Sequence, residues 1–246
     1  MTFEKLRAYF WIDPLICLAT VVMGSISLLA SLFDRTGNKQ MAVARLWARI
    51  LCRLAGVQLK IVGLENIDPQ SNYIIAANHL SYMDTPVVLG HLPVDFRFMA
   101  KKGLFSIPFI GTHLASAGHL PVVNDNPREG IKALNEAAKL IAARRISVLI
   151  FPEGGRAATG ELKEFRDGAF FLAIKSGAAV LPVALVGTYE MLPFGSGVMR
   201  PGPVTMRIGR PIETAGRHIK ERTVISEQVR TEIARLTQLG RITSPP

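Results

Sequence analysis

An uninterrupted run of uncharged residues, 14–33, constrains the fold of this chain more than any other feature. Twenty helical residues rise by about 30 Å, which matches the hydrocarbon thickness of a bilayer. The run is long for the core of a cleaved signal peptide, and no small-x-small cleavage site lies ahead of Asp34. The sequence therefore predicts an N-terminal hydrophobic helical membrane anchor. A bend at Gly24–Ser25 would make the segment re-entrant instead of spanning, and the sequence leaves both arrangements open.

The charge of the chain favours an anionic membrane surface as a partner. Lys and Arg number 29 against 19 Asp and Glu, giving a formal net charge of +10, while 49% of the residues are hydrophobic. More Lys and Arg follow the apolar run than precede it, which predicts that the C-terminal part faces the cytoplasm, at the cell inner membrane. The basic residues are dispersed without an aromatic platform, so nucleic acid is not a predicted partner. The two cysteines fit neither a disulfide framework nor a zinc pattern.

The next segment, residues 40–55, has the pattern of a helix with a cationic stripe. Arg45, Arg49 and Arg53 recur every four residues, and apolar residues cover the remainder. This pattern predicts an interfacial helix whose arginines lie at phosphate headgroups, and a core helix with a solvated basic face is the alternative. We therefore divide the chain into a membrane-associated helical segment, residues 1–55, and an α/β domain, residues 56–246.

Strand-like and helix-like segments alternate after Gly56. The predicted strands are Val57–Val62, Tyr73–Ala77, Phe96–Ala100, Leu120–Val123, Ser147–Phe151, Val180–Val186 and Val204–Ile208. The predicted helices are Pro86–Gly90, Ile110–Ser116, Pro127–Ala143 (capped by Asn126), Gly168–Ser176 and Arg217–Leu239. This alternation predicts an α/β fold with a mostly parallel sheet flanked by helices, in which binding sites form at the carboxyl ends of the strands.

The segment of residues 78–84 brings an imidazole and a carboxylate to the end of the second predicted strand. Thr85-Pro86 then has the pattern of a helix start, with Thr85 as the N-cap. A strand-to-helix turn can direct His79 and Asp84 into one cavity, whereas a regular helix would separate them by about 140°. A histidine held by a carboxylate is a general base for a substrate hydroxyl. The other histidines lack this setting and are interpreted as structural or surface residues: His91, His113, His119 and His218.

Two other predicted strand ends offer cations. The fifth strand runs into the sequence Phe-Pro-Glu-Gly-Gly-Arg, residues 151–156, which exposes backbone amides beside the guanidinium of Arg156. This combination favours a bound anion, because arginine grips phosphate with parallel hydrogen bonds. Lys101 follows the third strand and supplies another positive charge. Pro182 interrupts an apolar strand, where it indicates an edge position or a bulge.

Together these motifs resemble the PlsC-type glycerolipid acyltransferases, the family of 1-acyl-sn-glycerol-3-phosphate (lysophosphatidate) acyltransferases. Four blocks occur in the order of that family and cover about residues 75–185. The first block is met by Asn78, His79, Ser81 and Asp84, and the second by Lys101, Leu104, Pro108, Gly111 and Gly118. The third block is met by Phe151, Pro152, Glu153, Gly154 and Arg156, and the fourth by Leu181, Pro182 and Val183.

The chain departs from the family pattern at several positions. Gly103 and Gly155 replace a glutamate and a threonine, and Asp167 lies where a basic residue is common. Val123-Asn124 stands where the family has Asp-Arg, so an arginine assigned to phosphate binding is missing. Arg128 follows closely and is a candidate to reach the same anion.

The resemblance implies transfer of a fatty acyl group from acyl-CoA or acyl-ACP to a lysophospholipid acceptor, without a metal or a bound cofactor. His79 and Asp84 are the implied catalytic residues. The implied substrate-binding residues are Ser81, Lys101, Arg128, Glu153, Gly154, Gly155 and Arg156. Backbone amides near Gly154 and Gly155 would assist the oxyanion or the phosphate. The absence of a Gly-x-Ser-x-Gly elbow predicts direct attack by the acceptor and not an acyl-enzyme, with Ser81 supporting the turn.

Three alternatives remain open from the sequence. The acceptor is 1-acyl-glycerol-3-phosphate in the main prediction, and a lyso-ornithine lipid or glycerol 3-phosphate in a family relative. A membrane-binding protein that has lost its activity is the alternative from a different class, and the intact pair of His79 and Asp84 speaks against it.

Overall fold

The alternation of strands and helices predicted from the sequence is confirmed by the structure, a computed structural model that describes residues 3–34, 36–107, 110–122, 127–156 and 160–239. The strands are β1 (Val57–Val62), β2 (Tyr73–Ala77), β3 (Phe96–Lys101), β4 (Leu120–Val122), β5 (Ser147–Ile150), β6 (Ala179–Val186) and β7 (Gly202–Ile208). The first helix, α1, spans residues 3–31: it is α-helical over Phe3–Arg7, forms a π-helical turn over Ala8–Ile12, and is α-helical again over Asp13–Ser31. The other helices are α2 (Asn38–Ala55), α3 (Asp84–His91), α4 (Ile110–Ser116), α5 (Pro127–Arg144), α6 (Gly168–Ser176), α7 (Thr188–Met191) and α8 (Arg222–Gln238).

The strands form one seven-stranded sheet in the order β1-β7-β6-β2-β5-β3-β4. All neighbouring strands are parallel except β6 and β7, which are antiparallel. The carboxyl ends of β2, β5 and β3 therefore lie side by side at one edge of the sheet. In an open parallel sheet this edge is where ligands bind, and all three predicted motifs follow these strands.

The sheet is covered on both faces, which explains why its central strand is apolar throughout. All five residues of β2 are buried. Ile75 and Ala77 pack into a core shared with α2 and α3. Ile74 and Ala76 face the opposite side, in a core shared with α5, α6 and α8. A parallel strand buried on both faces has no polar side, so the sequence shows a continuous apolar run and not an alternation.

The N-terminal helix α1 is long and apolar enough to cross a membrane by its length and composition. The most apolar 18-residue window within Lys5–Phe33 has a mean hydropathy of 2.3, and only 11% of that window is buried within the protein. The α-helix continues through Gly24 and Ser25, so the irregular π-helical turn lies nearer the N-terminus than the predicted bend. The side chains of Leu18, Val21 and Leu29 are exposed on the outer face.

Two arginines of α2 bind the end of α3, a contact that the predicted stripe of headgroup-facing arginines did not include. Arg45 donates hydrogen bonds to the carbonyl oxygens of Leu92 and Val94. Arg49 Nε donates to the carbonyl oxygen of Gly90 at 2.7 Å. These carbonyls lie at the C-terminal end of α3, where cationic groups stabilise a helix. Helix α2 also contributes buried residues to the core on one face of the sheet, while the division of the chain at residue 55 stays a prediction.

Helix α3 begins two residues earlier than the predicted first residue, Pro86. Asp84 is its first residue, so Thr85 is not the N-cap, and no side chain caps this end of the helix. The carboxylate of Asp84 binds the preceding turn instead, as described below. Pro86 still lies in the first turn of the helix, where its missing N–H leaves no intrahelical bond unmade.

Pro182 does not lie at an edge of the sheet, but it lies where the antiparallel register shifts by one residue, between the pairs Val183–Ile208 and Val180–Ile212, so of the two predicted settings the bulge is confirmed. Its strand, β6, is a central strand between β7 and β2, and Pro182 pairs with Ala76 of β2. The antiparallel ladder with β7 begins at Val183, one residue later. The carbonyl oxygen of Pro182 accepts the N–H of Gly209 at 2.8 Å. The proline thus stands directly before the segment that pairs with β7.

Candidate active site

The imidazole of His79 and the carboxylate of Asp84 form a hydrogen-bonded pair at the carboxyl end of β2. His79 Nδ1 lies 2.9 Å from Asp84 Oδ2, and the exposed fractions of the two side chains are 12% and 0%. Because the carboxylate accepts from Nδ1–H, the proton of the neutral ring is on Nδ1 and the lone pair is on Nε2. This tautomer leaves Nε2 ready to accept a proton from a substrate. The predicted pairing of the two groups is confirmed.

Two backbone N–H groups also donate hydrogen bonds to the carboxylate of Asp84, in addition to the one from His79. Its Oδ2 atom accepts the N–H groups of Leu80 at 2.7 Å and of Ser81 at 2.8 Å. The chain between His79 and Asp84 is therefore wrapped around one oxygen atom. Such a turn holds the imidazole in a single orientation, since three hydrogen bonds converge on a side chain that is fully buried.

The polar side chains of the same turn tie it to its neighbours. Ser81 Oγ donates to the carbonyl oxygen of Leu192 at 2.9 Å and accepts the N–H of Met83 at 3.1 Å. The amide of Asn78 exchanges two hydrogen bonds with the backbone of Leu185, at 2.9 and 2.7 Å. Ser81 thus supports the turn, and Asn78 fastens the end of β2 to β6.

The loop after β5 contacts His79 through a ring and a carboxylate. The rings of Phe151 and His79 stack with centroids 4.0 Å apart and an interplanar angle of 15°. Glu153 Oε1 accepts the N–H of His79 at 2.6 Å, and its Oε2 accepts the N–H of Lys163 at 3.1 Å. Burial raises the pKa of the Glu153 carboxyl, and these two backbone donors oppose the rise. The carboxylate of Glu153 therefore connects two loops, and its predicted contact with substrate stays a prediction.

Gly154 makes room for a second guanidinium at the site. Its φ of +72° lies in the left-handed region, and a Cβ atom there would lie 2.5 Å from Arg166 Nε. The Arg166 guanidinium rests on the glycine backbone and lines the cavity beside His79. A glycine is needed here both for its backbone conformation and for this close approach. Gly155, in contrast, has open space around the position of a Cβ.

Arg156 is held at the site by an aromatic ring. Its Cζ atom lies 3.6 Å from the centroid of the Tyr82 ring and 5.7 Å from that of Phe194. Its Nε atom is buried without a hydrogen-bond partner among the described residues. A guanidinium placed by cation–π contacts, with no carboxylate partner in the described part of the chain, keeps its charge for an incoming anion.

The remaining predicted binding residues are divided between the site and the surface. Lys101, at the end of β3, is exposed and lines the same cavity as His79. Arg128 lies exposed in the first turn of α5 and is not among the described residues that line this cavity. Asp167 forms an ion pair with Arg222, with atoms 3.3 Å apart. The substitution at Val123-Asn124 and the proposed cap Asn126 lie outside the described residues.

One large cavity joins these groups to the N-terminal helix. It has a volume of about 1200 Å³ and extends from His79 and Arg156 to residues of α1, including Val21 and Leu28. Most of its lining is apolar. A cavity of this size and composition, with a few polar groups at one end, is suited to a long hydrocarbon chain with a polar head.

Sequence analysis missed three polar residues of this cavity. His113 and His119, interpreted as structural or surface residues, both line it together with Ser27 of α1. Ser27 Oγ lies 2.7 Å from His113 Nδ1. The tertiary packing of α1 against α4 creates this cluster, and no local pattern in the sequence predicts it. Among the described residues, no group of three or more His, Cys, Asp or Glu side chains is placed to hold a metal ion.

Comparison with known proteins places the chain in a family. The Acyltransferase family matches residues 58–186, which include the end of β2, the loop after β5 and β6. This match extends over half of the chain, and the chain belongs to the acyltransferase family.

Individual relatives agree with this assignment. The chain is 35% identical over 195 residues to the chloroplastic 1-acyl-sn-glycerol-3-phosphate acyltransferase LPAT1 of Arabidopsis thaliana, covering 78% of this chain and 52% of the relative. It is 30% identical over 190 residues to the 1-acyl-sn-glycerol-3-phosphate acyltransferase of Saccharomyces cerevisiae, covering 76% and 62% of the two chains. The chain thus spans little more than half the length of these curated relatives.

A solved structure matches nearly the whole chain. The crystal structure of the 1-acyl-sn-glycerophosphate acyltransferase PlsC from Thermotoga maritima superposes with a TM-score of 0.76 at 26% sequence identity. The match covers 95% of this chain and 98% of that chain. The predicted fold class is therefore confirmed, including the apolar helix at the N-terminus.

Proposed function

We propose that this protein is a membrane-associated O-acyltransferase that acylates the free hydroxyl of 1-acyl-glycerol-3-phosphate and so forms phosphatidic acid. The single observation that carries the proposal is the His79–Asp84 pair at the mouth of an apolar cavity, beside the guanidinium of Arg156. A base, an anion ligand and space for acyl chains are the three elements that such a transfer requires. The family membership and the names of the relatives support the same reaction.

His79 acts as the general base in the proposed mechanism. An alcohol attacks a thioester poorly until its proton is removed, and Nε2 of His79 is the available acceptor. As the acceptor oxygen bonds to the thioester carbon, its proton passes to Nε2, and Asp84 stabilises the imidazolium that forms. When the carbon–sulfur bond breaks, the proton passes from Nε2 to the departing sulfur. The products are the acylated lipid and the free thiol of CoA or the carrier protein.

Cations and backbone amides orient the substrates in this proposal. Arg156 holds the acceptor phosphate, and Lys101 adds a second positive charge at the same cavity. The backbone N–H of Gly154 donates to the carbonyl oxygen of Phe151 at 3.1 Å, so the N–H of Gly155 in the same loop is the donor that stabilises the developing oxyanion or the phosphate. No step requires a metal or a bound cofactor. The donor, acyl-CoA or acyl-ACP, is a second substrate.

The membrane is the proposed location, at the cytoplasmic face of the cell inner membrane. The exposed apolar face of α1 and the net charge of +10 both favour an anionic bilayer. Because α1 also forms part of the cavity wall, substrates dissolved in the bilayer would meet the site from the side of this helix.

A lysolipid with an ammonium headgroup, such as a lyso-ornithine lipid, is the second candidate acceptor. A smaller cavity of about 360 Å³ is lined by Asp13, Tyr82 and Phe194. The carboxylate of Asp13 forms no side-chain hydrogen bond or ion pair with the described residues. A carboxylate beside two aromatic rings suits an ammonium group, and this cavity adjoins the ring on which Arg156 stacks.

The deciding experiment presents purified full-length protein in mixed micelles with a panel of acceptors. The panel comprises lysophosphatidate, a lyso-ornithine lipid and glycerol 3-phosphate, each with acyl-CoA and with acyl-ACP. We expect the highest kcat/KM with lysophosphatidate, and no turnover by the His79→Ala variant in the same preparation. Faster turnover of another acceptor would replace the proposed substrate. No thioester cleavage with any pair would leave a membrane-binding protein without activity.

A further inference from the structure

The apolar cavity contains a polar cluster that the acyl-transfer mechanism does not use. Ser27, His113 and His119 lie on its wall, and their neighbours there include Met23, Leu28 and Leu114. Ser27 and His119 are 3% and 7% exposed, so both are more than nine-tenths buried. The two imidazole rings lie 5.9 Å apart between centroids. Polar groups are costly in an apolar cavity unless they find hydrogen-bond partners.

The hydrogen bonds of His119 define which of its ring atoms is available. Its Nδ1 accepts the backbone N–H of Phe98 at 2.9 Å. In the neutral ring the proton is then on Nε2, which makes Nε2–H a donor. Burial, together with the positive charge of His113 and Arg97, lowers the pKa of His119 to about 3, so the ring is neutral near pH 7. No described residue accepts a hydrogen bond from Nε2.

The position of His119 relates this donor to the reaction centre. Phe98 of β3 pairs with Leu149 of β5. Phe151, whose ring stacks on His79, lies two residues beyond Leu149. The backbone positions of Phe98 and Phe151 are therefore roughly 8 Å apart, since they are separated by one strand spacing and two residues along the strand. A chain that enters the cavity with its thioester at His79 therefore passes the cluster partway along its length.

We infer that the cluster of Ser27, His113 and His119 is a specificity site for a donor whose acyl chain carries a hydroxyl group. The Nε2–H of His119 donates to the hydroxyl oxygen of the chain. The Ser27–His113 pair, which is joined by a 2.7 Å hydrogen bond, lies close enough to the same ring to accept the hydroxyl proton. An unsubstituted chain would leave the His119 donor without a hydrogen-bond partner. A buried donor without a partner disfavours the unsubstituted chain relative to the hydroxylated one.

This inference rests on the proposed function, because it assigns a preference among acyl donors to the same cavity. A water molecule bound to His119 is the competing explanation. A water molecule that stays on His119 when any chain binds predicts no preference for a hydroxylated chain. The two explanations therefore differ in the relative rates with matched donors.

The test compares palmitoyl-CoA with a set of monohydroxypalmitoyl-CoAs that differ only in the position of the hydroxyl. The full-length protein and lysophosphatidate are used throughout. At one position we expect kcat/KM to exceed that of palmitoyl-CoA by about tenfold, the effect of one well-formed hydrogen bond in a dry site. Equal kcat/KM values for palmitoyl-CoA and every hydroxylated donor would overturn the inference and leave the proposed function intact. If the enzyme turns over none of these donors, both the inference and the proposed function are contradicted.

The His119→Asn variant separates recognition from folding. The Asn side-chain oxygen can replace Nδ1 as the acceptor for the N–H of Phe98, but the side chain is too short to replace Nε2. We expect this variant to lose the tenfold preference, measured as the ratio of kcat/KM for the hydroxylated donor to that for palmitoyl-CoA. His91→Asn is the matched control, because His91 is a partly buried histidine outside the cavity. Equal losses with both donors in His119→Asn would contradict the inference, since they would show a structural role alone.

Discussion

The two sides of His79 are built in opposite ways. On one side, Asp84 receives three hydrogen bonds on a single oxygen and is fully buried. On the other side, Arg156 is placed by contacts with aromatic rings and has no carboxylate partner among the described residues. The base requires one fixed tautomer and orientation, whereas the anion ligand must accommodate a headgroup that arrives and leaves. The fixed side therefore concerns the rate of the chemical step, and the less constrained side concerns acceptor binding.

The largest effect is expected on the fixed side. Replacement His79→Ala removes the base, and we expect acyl transfer to fall by at least about 10³-fold while the circular dichroism spectrum is preserved. Asp84→Asn keeps the shape of the side chain but removes the charge that stabilises the imidazolium, so a loss of about 10³- to 10⁴-fold in kcat is expected. Steady-state assays with lysophosphatidate measure both. Near-normal turnover by His79→Ala would contradict the assignment of the base.

A smaller effect, of a different kind, is expected at Arg156. The Arg156→Ala variant should raise the KM for lysophosphatidate by about 10- to 100-fold, with a lesser change in kcat, because a charge-assisted hydrogen bond to the phosphate is lost. Arg156→Lys is the matched control: it keeps the charge but loses the planar stacking on Tyr82, so an intermediate KM is expected. An unchanged KM in Arg156→Ala would show that the phosphate binds elsewhere.

Arg49 tests whether the fixed side depends on the N-terminal helices. Helix α3 has only two turns, and the bond from Arg49 to Gly90 lies at the end opposite Asp84. We expect Arg49→Ala to lower kcat about threefold to tenfold with little change in KM, because small displacements of catalytic groups reduce rates. Arg53→Ala is the control, since Arg53 is exposed one turn further along the same helix. Equal kcat values for Arg49→Ala and Arg53→Ala would contradict this positioning role.

The smallest effect concerns Glu153, which connects the two sides. Its pKa is raised in the folded protein, so the folded state binds a proton more tightly than the unfolded state. The resulting stability is present below the ordinary pKa of 4.5 and is lost as pH rises through the folded pKa. Glu153→Gln should therefore flatten the dependence of the unfolding free energy on pH just above 4.5. Chemical denaturation across this range measures the difference, and identical slopes for the two proteins would contradict the shift.

The sequence predicts the elements that depend on local apolar runs. The bounds of β1 and β2 agree with the prediction because Gly56 and the polar residues around β2 delimit these runs sharply. The pairing of His79 with Asp84 was also predictable, since both lie in one short turn after a buried strand.

Errors arose where tertiary contacts override a local pattern. Arg45 and Arg49 have the spacing of a surface stripe, yet the C-terminal carbonyls of α3 bind them. Thr85-Pro86 has the local pattern of an N-cap and a first helical residue, yet the helix begins at Asp84, whose carboxylate binds the preceding turn. His119 was not recognised because its environment depends on the packing of α1, which lies about a hundred residues away in the sequence.

The position of α1 determines which measure of lysolipid concentration would set the rate of the enzyme. Val21 lines the reaction cavity and is also 61% exposed on the helix surface, so one thin wall separates the bound chains from the surroundings. If those surroundings are a bilayer, substrate and product would exchange laterally without crossing water. Turnover would then follow the mole fraction of lysolipid within the plane of the membrane, and diluting the vesicles with buffer that contains the same concentration of acyl donor would leave the rate per enzyme unchanged.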